Sequence, residues 1–391
     1  MIARRTALTN CRTIANGEVL GHAVVAFEDG VITYVGEDDA PVEGTNIDMR
    51  GEWVLPGIVD VHCESLLRHV APRGTRLQSA ESAEQCALRE CHAAGVTSPV
   101  FTVNATLEPD LMSISVCESL VNHVRTHMHL RIELSAAAEV PQSLLRHPRV
   151  ALVGINNHAP NELSRWDEHK YLRYVRRRST LTSDDERALL EAARISTDEW
   201  IARAATTARD AQVPVCFHDL AGRDLVDWCV EHGVGIAEFA VDGETARYAV
   251  SRGMTIVLGA PNVVRGGSHN GQLDASSAVA EAMCHCLCSD YYVDALWQAP
   301  FHLQQRCGLP FARAWSLVSS APATVLGWSD RGRIAVGQRA DLVAISGRPL
   351  APLATWCQGE LKYASAPLVQ WLVEADASAA CIEPYCTSRV S

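Results

Sequence analysis

The chain has 391 residues, of which 48% are hydrophobic and 20% are charged. This length suggests two or three domains, or one large α/β domain with an addition, and the composition provides a buried core. Since 46 acidic residues outnumber 34 lysines and arginines, the net charge is −12. That sign disfavours non-specific attraction to nucleic acid or an anionic membrane, so an anionic ligand would need a local positive site.

The fourteen cysteines are too few for a disulfide scaffold, and they are scattered through apolar segments. This distribution predicts reduced thiols and a cytoplasmic protein. The first residues carry charge without a following apolar run, and no stretch reaches the ~18 uninterrupted apolar residues of a membrane helix. We therefore expect neither secretion nor membrane spanning.

From Ile14 to Val54, short alternating runs separated by turn dipeptides such as Asp29-Gly30 predict a small antiparallel sheet. After Pro56-Gly57, eight apolar runs alternate with longer helical segments, which is the rhythm of a (β/α)8 barrel. Residues 179–208 are charged and predict one or two connecting helices. The predicted barrel strands are 58–61, 96–103, 129–134, 150–155, 213–217, 236–239, 255–258 and 282–289.

Short strands return near Arg331, so both chain ends are expected to meet in one small β domain. The predicted fold class is therefore α/β: a (β/α)8 TIM barrel with a small β-sandwich domain. We assign residues 55–330 to the barrel and residues 1–54 plus 331–365 to the small domain. Residues 366–391 have weak periodicity and predict a loose C-terminal tail.

The first barrel strand ends in His62-Cys63-Glu64. Because side chains alternate along a strand, His62 and Glu64 point the same way, towards the mouth of the barrel. Together they are able to bind a divalent cation. The ordinary alternative for such a pair is a hydrogen-bonded polar strand end.

Similar donors end or follow four other predicted strands, namely Glu133, His158, His218 and Asp290. With His62 and Glu64 they make six donors from five strand ends, enough to hold two divalent cations bridged by Glu133. Each histidine taken alone is as well explained by a hydrogen-bonded core or surface position. The recurrence at strand ends favours the metal centre.

A glycine-rich segment, 259–271, follows the seventh predicted strand. Amides of Gly266 and Gly267 are able to approach an anion closely, Arg265 is able to bind phosphate oxygens with two N–H groups, and Ser268 and His269 add donors. The pattern predicts an oxyanion site, with an ordinary βα loop as the alternative. Arg73, beyond the first strand, adds a further positive charge.

Cys284, Cys286 and Cys288 lie in an apolar strand and are interpreted as buried hydrophobic residues.

Together these segments resemble the amidohydrolase superfamily, in which a metal pair follows Leu-Pro-Gly, an Asp ends the last strand, and Gly-x-Ile-x-x-Gly-x-x-Ala-Asp-Leu-Val closes the domain. Within it the chain is similar to the PhnM family, which hydrolyses α-D-ribose 1-methylphosphonate 5-triphosphate to the 5-phosphate and diphosphate. The matching stretches include Leu55-Pro-Gly-Ile-Val-Asp-Val-His62, His69-Val-Ala-Pro72-Arg73, His129-Leu-Arg-Ile-Glu133, Asn157-His158-Ala-Pro160, Phe217-His218-Asp219, Ala237-Glu238-Phe239, Gly259 to His269 and Ser289-Asp290-Tyr291-Tyr292.

The resemblance implies a cytoplasmic, binuclear metal-dependent hydrolase that uses two divalent ions, zinc by analogy. Asp290 would bind one ion and accept a proton, and Asp219 would support it or protonate the leaving group. The implied partner is a small phosphorylated substrate, without nucleic acid or membrane, and a homo-oligomer is compatible with the sequence. The implied substrate contacts are Arg73, His69, Asn262, Arg265, Gly266, Gly267, Ser268, His269, Tyr291 and Tyr292.

Departures from the family pattern bear on the substrate. The family's first-strand His-Thr-Asp-Asn is His62-Cys63-Glu64-Ser65 here, which places the carboxylate one methylene farther from the backbone. Two other functions stay open: an amidohydrolase acting on a cyclic amide or a deaminable ring, and a catalytically silent scaffold of a phosphonate pathway.

Overall fold

The computed structural model describes residues 5–37, 44–71, 77–105, 114–133, 140–156, 197–268 and 272–380. Within these ranges an eight-stranded parallel barrel is joined to a separate eight-stranded sheet built from both ends of the chain. This arrangement confirms the predicted fold class.

The small domain forms around tight turns between antiparallel strands. Asp29 and Gly30 both have positive φ, 48° and 80°, as a type I′ hairpin turn requires, so this predicted turn is confirmed. The strands of the small domain are β1 Thr6–Ala15, β2 Glu18–Glu28, β3 Val31–Gly36, β4 Thr45–Asp48, β5 Trp53–Pro56, β14 Leu342–Gly347, β15 Leu350–Cys357 and β16 Glu360–Ala364. They are hydrogen-bonded in the order β16-β15-β14-β5-β1-β2-β3, with β4 paired to β1.

The barrel strands follow one another in chain order around the sheet. They are β6 Ile58–Cys63, β7 Val96–Ala105, β8 His127–Glu133, β9 Val150–Asn156, β10 Val215–His218, β11 Ile236–Glu238, β12 Thr255–Gly259 and β13 Cys286–Cys288. The ring closes where the Glu64 amide donates to the Asp290 carbonyl, 3.1 Å, and the Asp290 amide donates to the His62 carbonyl, 3.0 Å. Closure places the first and last predicted metal-ligand strands side by side.

Helices cover the outside of the barrel, and most of its core lies between strands and helices. A separate apolar cluster fills the interior and includes Cys286 and Cys288, which are buried as predicted. The described helices are α1 Ser65–Val70, α2 Ala80–Ala93, α3 Ile114–His123, α4 Gln142–Leu145, α5 Thr197–Asp210, α6 Arg223–Glu231, α7 Gly243–Ser251, α8 Ala260–Arg265, α9 Ala275–Ala280, α10 Ala295–Cys307, α11 Phe311–Ser316, α12 Ser320–Val325 and α13 Ala366–Ala380.

The predicted tail, 366–391, is described up to residue 380, and there it differs from the prediction. Residues 366–380 form helix α13 instead of a loose tail, and Leu368 is fully buried in the small-domain core, with Trp371 and Leu372 packed against it. Apolar residues lie on most sides of this helix, which explains why the 3.6-residue periodicity is weak in the sequence. Of the connecting helices predicted over 179–208, α5 is described, and residues 179–196 lie outside the described ranges.

None of the described helices is long and apolar enough to cross a membrane. The twelve cysteines in the described ranges are free thiols.

Candidate metal centre in the barrel mouth

A cavity of about 180 Å³ opens at the carboxyl ends of the barrel strands. Asp219 and Phe239 directly follow β10 and β11, and Asp290 lies two residues after β13; all three have left-handed φ values of 54–55°. Residues held in this sparsely populated region cluster at functional sites. The cavity lining is Glu64, Arg131, His218, Asp219, Phe239, Gly259, Pro261, Asn262, Arg265, Ser268, Gln272, Asp290 and Tyr291.

Glu238, at the end of β11, joins two of the predicted histidine ligands. Nδ1 of His62 donates to its Oε1, and Nδ1 of His218 donates to its Oε2, each over 2.8 Å. Burial alone would raise the pKa of Glu238, but the surrounding histidines hold it well below its usual value. Because each Nδ1 carries the donated hydrogen, the neutral form of each ring has its lone pair on Nε2.

His62, Glu64 and Asp290 are the predicted ligands that the structure brings closest together. Their donor atoms lie within 4.8 Å of one another, and His62 Nε2 is 3.8 Å from Glu64 Oε1. Although His62 is fully buried, its Nε2 atom has no hydrogen-bond partner. An orphaned imidazole nitrogen facing two carboxylates is the donor set that a divalent cation requires.

The pKa values of His62, Glu64 and Asp290 are all shifted by burial and by neighbouring charges. Burial alone would lower the pKa of His62, but Glu238 raises it to about 10, so the ring holds a proton where an ion would compete for Nε2. Burial raises the pKa of Asp290 to about 6. For Glu64, the charges of His62 and Arg131 outweigh burial and lower the pKa to about 2.

The seam between the first and last strands is fixed below this group. Asp60 is fully buried, and its Oδ1 accepts from the amides of Ser289, 3.0 Å, and His62, 3.2 Å. Its Oδ2 accepts from the Ser289 hydroxyl, 2.5 Å. These bonds hold the backbone of His62 against the strand that precedes Asp290.

Sequence reasoning missed Glu238 and Arg131 as site residues. Glu238 is the second-last residue of the predicted strand 236–239, so a search for donors near strand ends, as for His218, would have found it. Arg131 lies in the stretch that also contains Glu133, and alternation along β8 places Arg131, Glu133 and His129 on the same face. His129 is fully buried, its Nε2 is 3.4 Å from Cys216 Sγ, and burial lowers its pKa to about 3.

The glycine-rich segment forms α8 and the turn after it. Gly266 ends the helix with φ 84°, a left-handed conformation suited to glycine. Asn262 is bonded internally, because its side chain donates to the Leu273 carbonyl and accepts from the Ala275 amide, both over 3.1 Å. Arg265 lines the cavity and donates to the Tyr291 hydroxyl. The segment therefore presents a guanidinium at the cavity wall.

Other predicted residues are placed differently. Ser268 lines the cavity and accepts from the Gln272 amide, 3.2 Å. In the part of the chain that is described, the lining includes neither His69, whose Nε2 lies 3.3 Å from Glu90, nor Tyr292, which is 43% exposed.

Asp219 lines the cavity, with Oδ2 3.9 Å from His218 Nε2. Glu133 ends β8 and is 9% exposed, but it belongs to none of the three donor groups found among the described residues. Arg73, His158 and His269 lie outside the described ranges.

Comparison with known proteins identifies a family and a relative that match most of the chain. Residues 53–364 match the amidohydrolase family model. Over 359 residues the chain is 30% identical to alpha-D-ribose 1-methylphosphonate 5-triphosphate diphosphatase of Escherichia coli (strain K12), covering 86% of this chain and 94% of that protein.

Two solved structures are similar in fold. N-acetylglucosamine-6-phosphate deacetylase from Pasteurella multocida has a TM-score of 0.61 at 14% identity, over 92% of this chain and 100% of that one. Beta-aspartyl dipeptidase from Fervidobacterium islandicum AW-1 has a TM-score of 0.61 at 18% identity, over 92% of this chain and 96% of that one. At these identities the likeness shows the fold alone.

Proposed function

Because the chain belongs to the amidohydrolase family, we propose that it is a metal-dependent hydrolase acting on a phosphoanhydride. Its substrate would be a phosphonate-bearing ribose 5-triphosphate, cleaved by water to the 5-phosphate and diphosphate, the reaction class named for the E. coli relative. The observation that carries the proposal is the group of His62, Glu64 and Asp290, whose two carboxylates line a cavity that Arg265 also lines.

A divalent ion, which we propose to be zinc, would be held by His62, Glu64 and Asp290. When bound, such an ion lowers the pKa of a coordinated water towards neutrality. The second ion expected from the sequence would need Glu133 and His158. Of these two, Glu133 is outside the described donor groups and His158 is outside the described residues.

Asp290 would accept the proton of the attacking water. Burial raises its pKa to about 6, which makes this carboxylate a stronger base than an exposed aspartate. Asp219, which lines the same cavity with Oδ2 3.9 Å from His218 Nε2, would protonate the leaving diphosphate.

Arg265 supplies the local positive charge that the overall charge of −12 makes necessary for a polyanionic substrate. It lines the cavity together with Tyr291, to whose hydroxyl it donates. A planar guanidinium matches the geometry of phosphate oxygens, so Arg265 would bind the triphosphate.

The test measures diphosphate release from α-D-ribose 1-methylphosphonate 5-triphosphate by the zinc- or manganese-loaded protein, alongside ring opening of cyclic amides and ammonia release from aminated heterocycles. We expect diphosphate release, and we expect Arg265→Ala to lower its kcat/KM by about 10–100-fold, the value of one lost charge-assisted hydrogen bond. Arg247→Ala is the matched control, because Arg247 pairs with Glu281 on the outer surface. Ring opening or ammonia release without diphosphate release would favour the amidohydrolase acting on a cyclic amide or a deaminable ring, and loaded protein with none of these activities would favour the scaffold.

A further inference from the structure

A buried arginine side chain brings a positive charge to the barrel mouth. Arg131 extends from the middle of β8, and its side chain is 6% exposed. Its Nη1 lies 3.4 Å from Oε1 of Glu64, and its Nη2 lies 3.0 Å from Nε2 of His218. One guanidinium thus reaches two of the side chains that the sequence assigns to metal ions.

The hydrogen bonds of His218 settle what Arg131 does there. Since Nδ1 of His218 donates to Glu238, its lone pair is on Nε2. Arginine has no acceptor and stays protonated in proteins, so Arg131 donates to that lone pair. The only ring nitrogen of His218 that faces away from Glu238 is therefore already engaged by a positive charge.

His62 is in the opposite situation. Its Nδ1 makes the same bond to Glu238, but its Nε2 has no partner and faces Glu64. The two histidines bonded to Glu238 thus differ at Nε2, which faces the Glu64 carboxylate in His62 and the Arg131 guanidinium in His218.

We propose that Arg131 takes the place of a second metal ion, so that the site binds one divalent ion per chain, at His62, Glu64 and Asp290. The guanidinium supplies the second positive charge next to the ion and towards the cavity that Arg131 lines. Unlike an ion, it is covalently attached and is not lost to chelators. This inference rests on the metal site of the proposed function.

The experiment counts manganese ions bound by the full-length protein in equilibrium dialysis and records the electron paramagnetic resonance spectrum. For wild type we expect one ion per chain and the spectrum of isolated Mn²⁺. Arg131→Met removes the charge at similar length, so we expect a second ion and an exchange-coupled spectrum. Arg131→Lys keeps the charge and should remain at one ion. Arg252→Met is the control, because Arg252 pairs with Asp227 at a half-exposed position outside the barrel mouth.

Two ions in wild type overturn the proposal, as does one ion in both wild type and folded Arg131→Met. If Arg131→Met does not fold, the numbers of manganese ions bound by wild type and by Arg131→Lys still test the proposal. Two ions per chain in either protein would contradict it. Absence of any bound ion in wild type is a different result, since it refutes the metal site itself and the proposed function with it.

Discussion

Replacing Glu238 with glutamine tests whether one buried carboxylate sets the orientation of both histidines. The carboxylate accepts a hydrogen from His62 on one oxygen and from His218 on the other, and it is 1% exposed. In Glu238→Gln one of the two acceptors becomes an N–H donor. That donor cannot face an Nδ1–H group, so one ring must move its hydrogen to Nε2 or turn away.

The expected loss of metal affinity follows from the hydrogen bond that the substitution removes. A hydrogen bond to a charged group contributes roughly 1.5–3 kcal/mol, and loss of such a partner of a metal-binding histidine typically lowers metal affinity 10–100-fold. We therefore expect Glu238→Gln to bind Zn²⁺ or Mn²⁺ about 10–100-fold more weakly than wild type. The assay is competition against a chromogenic chelator, with thermal unfolding recorded to confirm that the variant is folded.

Glu244→Gln is the matched control, because Glu244 lies on α7 with a side chain 72% exposed and pairs with Arg223. It should bind the ion as wild type does. A folded Glu238→Gln variant with an affinity within twofold of wild type would refute the view that Glu238 directs the metal-binding nitrogen of His62.

Two further predictions concern stability. Burial alone would raise the pKa of Glu90, but hydrogen bonds from Ser65 and Arg68 hold it below its usual 4.5. A lowered pKa stabilises the folded state above pH 4.5 and is lost as the pH falls through the folded value, so Glu90→Gln should destabilise at pH 7 and progressively less below pH 4.5, as measured by urea unfolding. Leu368→Ala empties a fully buried position in the small-domain core and should lower the free energy of unfolding by about 2–5 kcal/mol.

Each of the two stability predictions has a result that would contradict it. An effect of Glu90→Gln that is constant from pH 7 to pH 3 would mean that the pair with Arg68 does not lower the pKa. For Leu368→Ala the control is Val373→Ala on the same helix, where the side chain is 64% exposed. Equal destabilisation by the two changes would mean that α13 is not docked through Leu368.

The sequence by itself determined the order of the elements and the end of the barrel at which chemistry is placed. Strand and helix patterns depend on local spacing, and all carboxyl ends of a parallel barrel meet at one mouth whatever their separation along the chain. For that reason His62, Glu64, His218 and Asp290 could be grouped without coordinates, although the first and last are more than two hundred residues apart.

The tertiary structure alone decided what each of these side chains contacts. Glu238 bonds to His62 across 176 positions, and Arg131 bonds to His218 across 87. Such pairs depend on strand order, on the stagger between strands and on which side chains fill the interior at the same height, none of which is a local property of the chain. The same reason explains why Asn262, predicted to bind substrate, is bonded to its own loop, and why a helix with weak periodicity docks through Leu368.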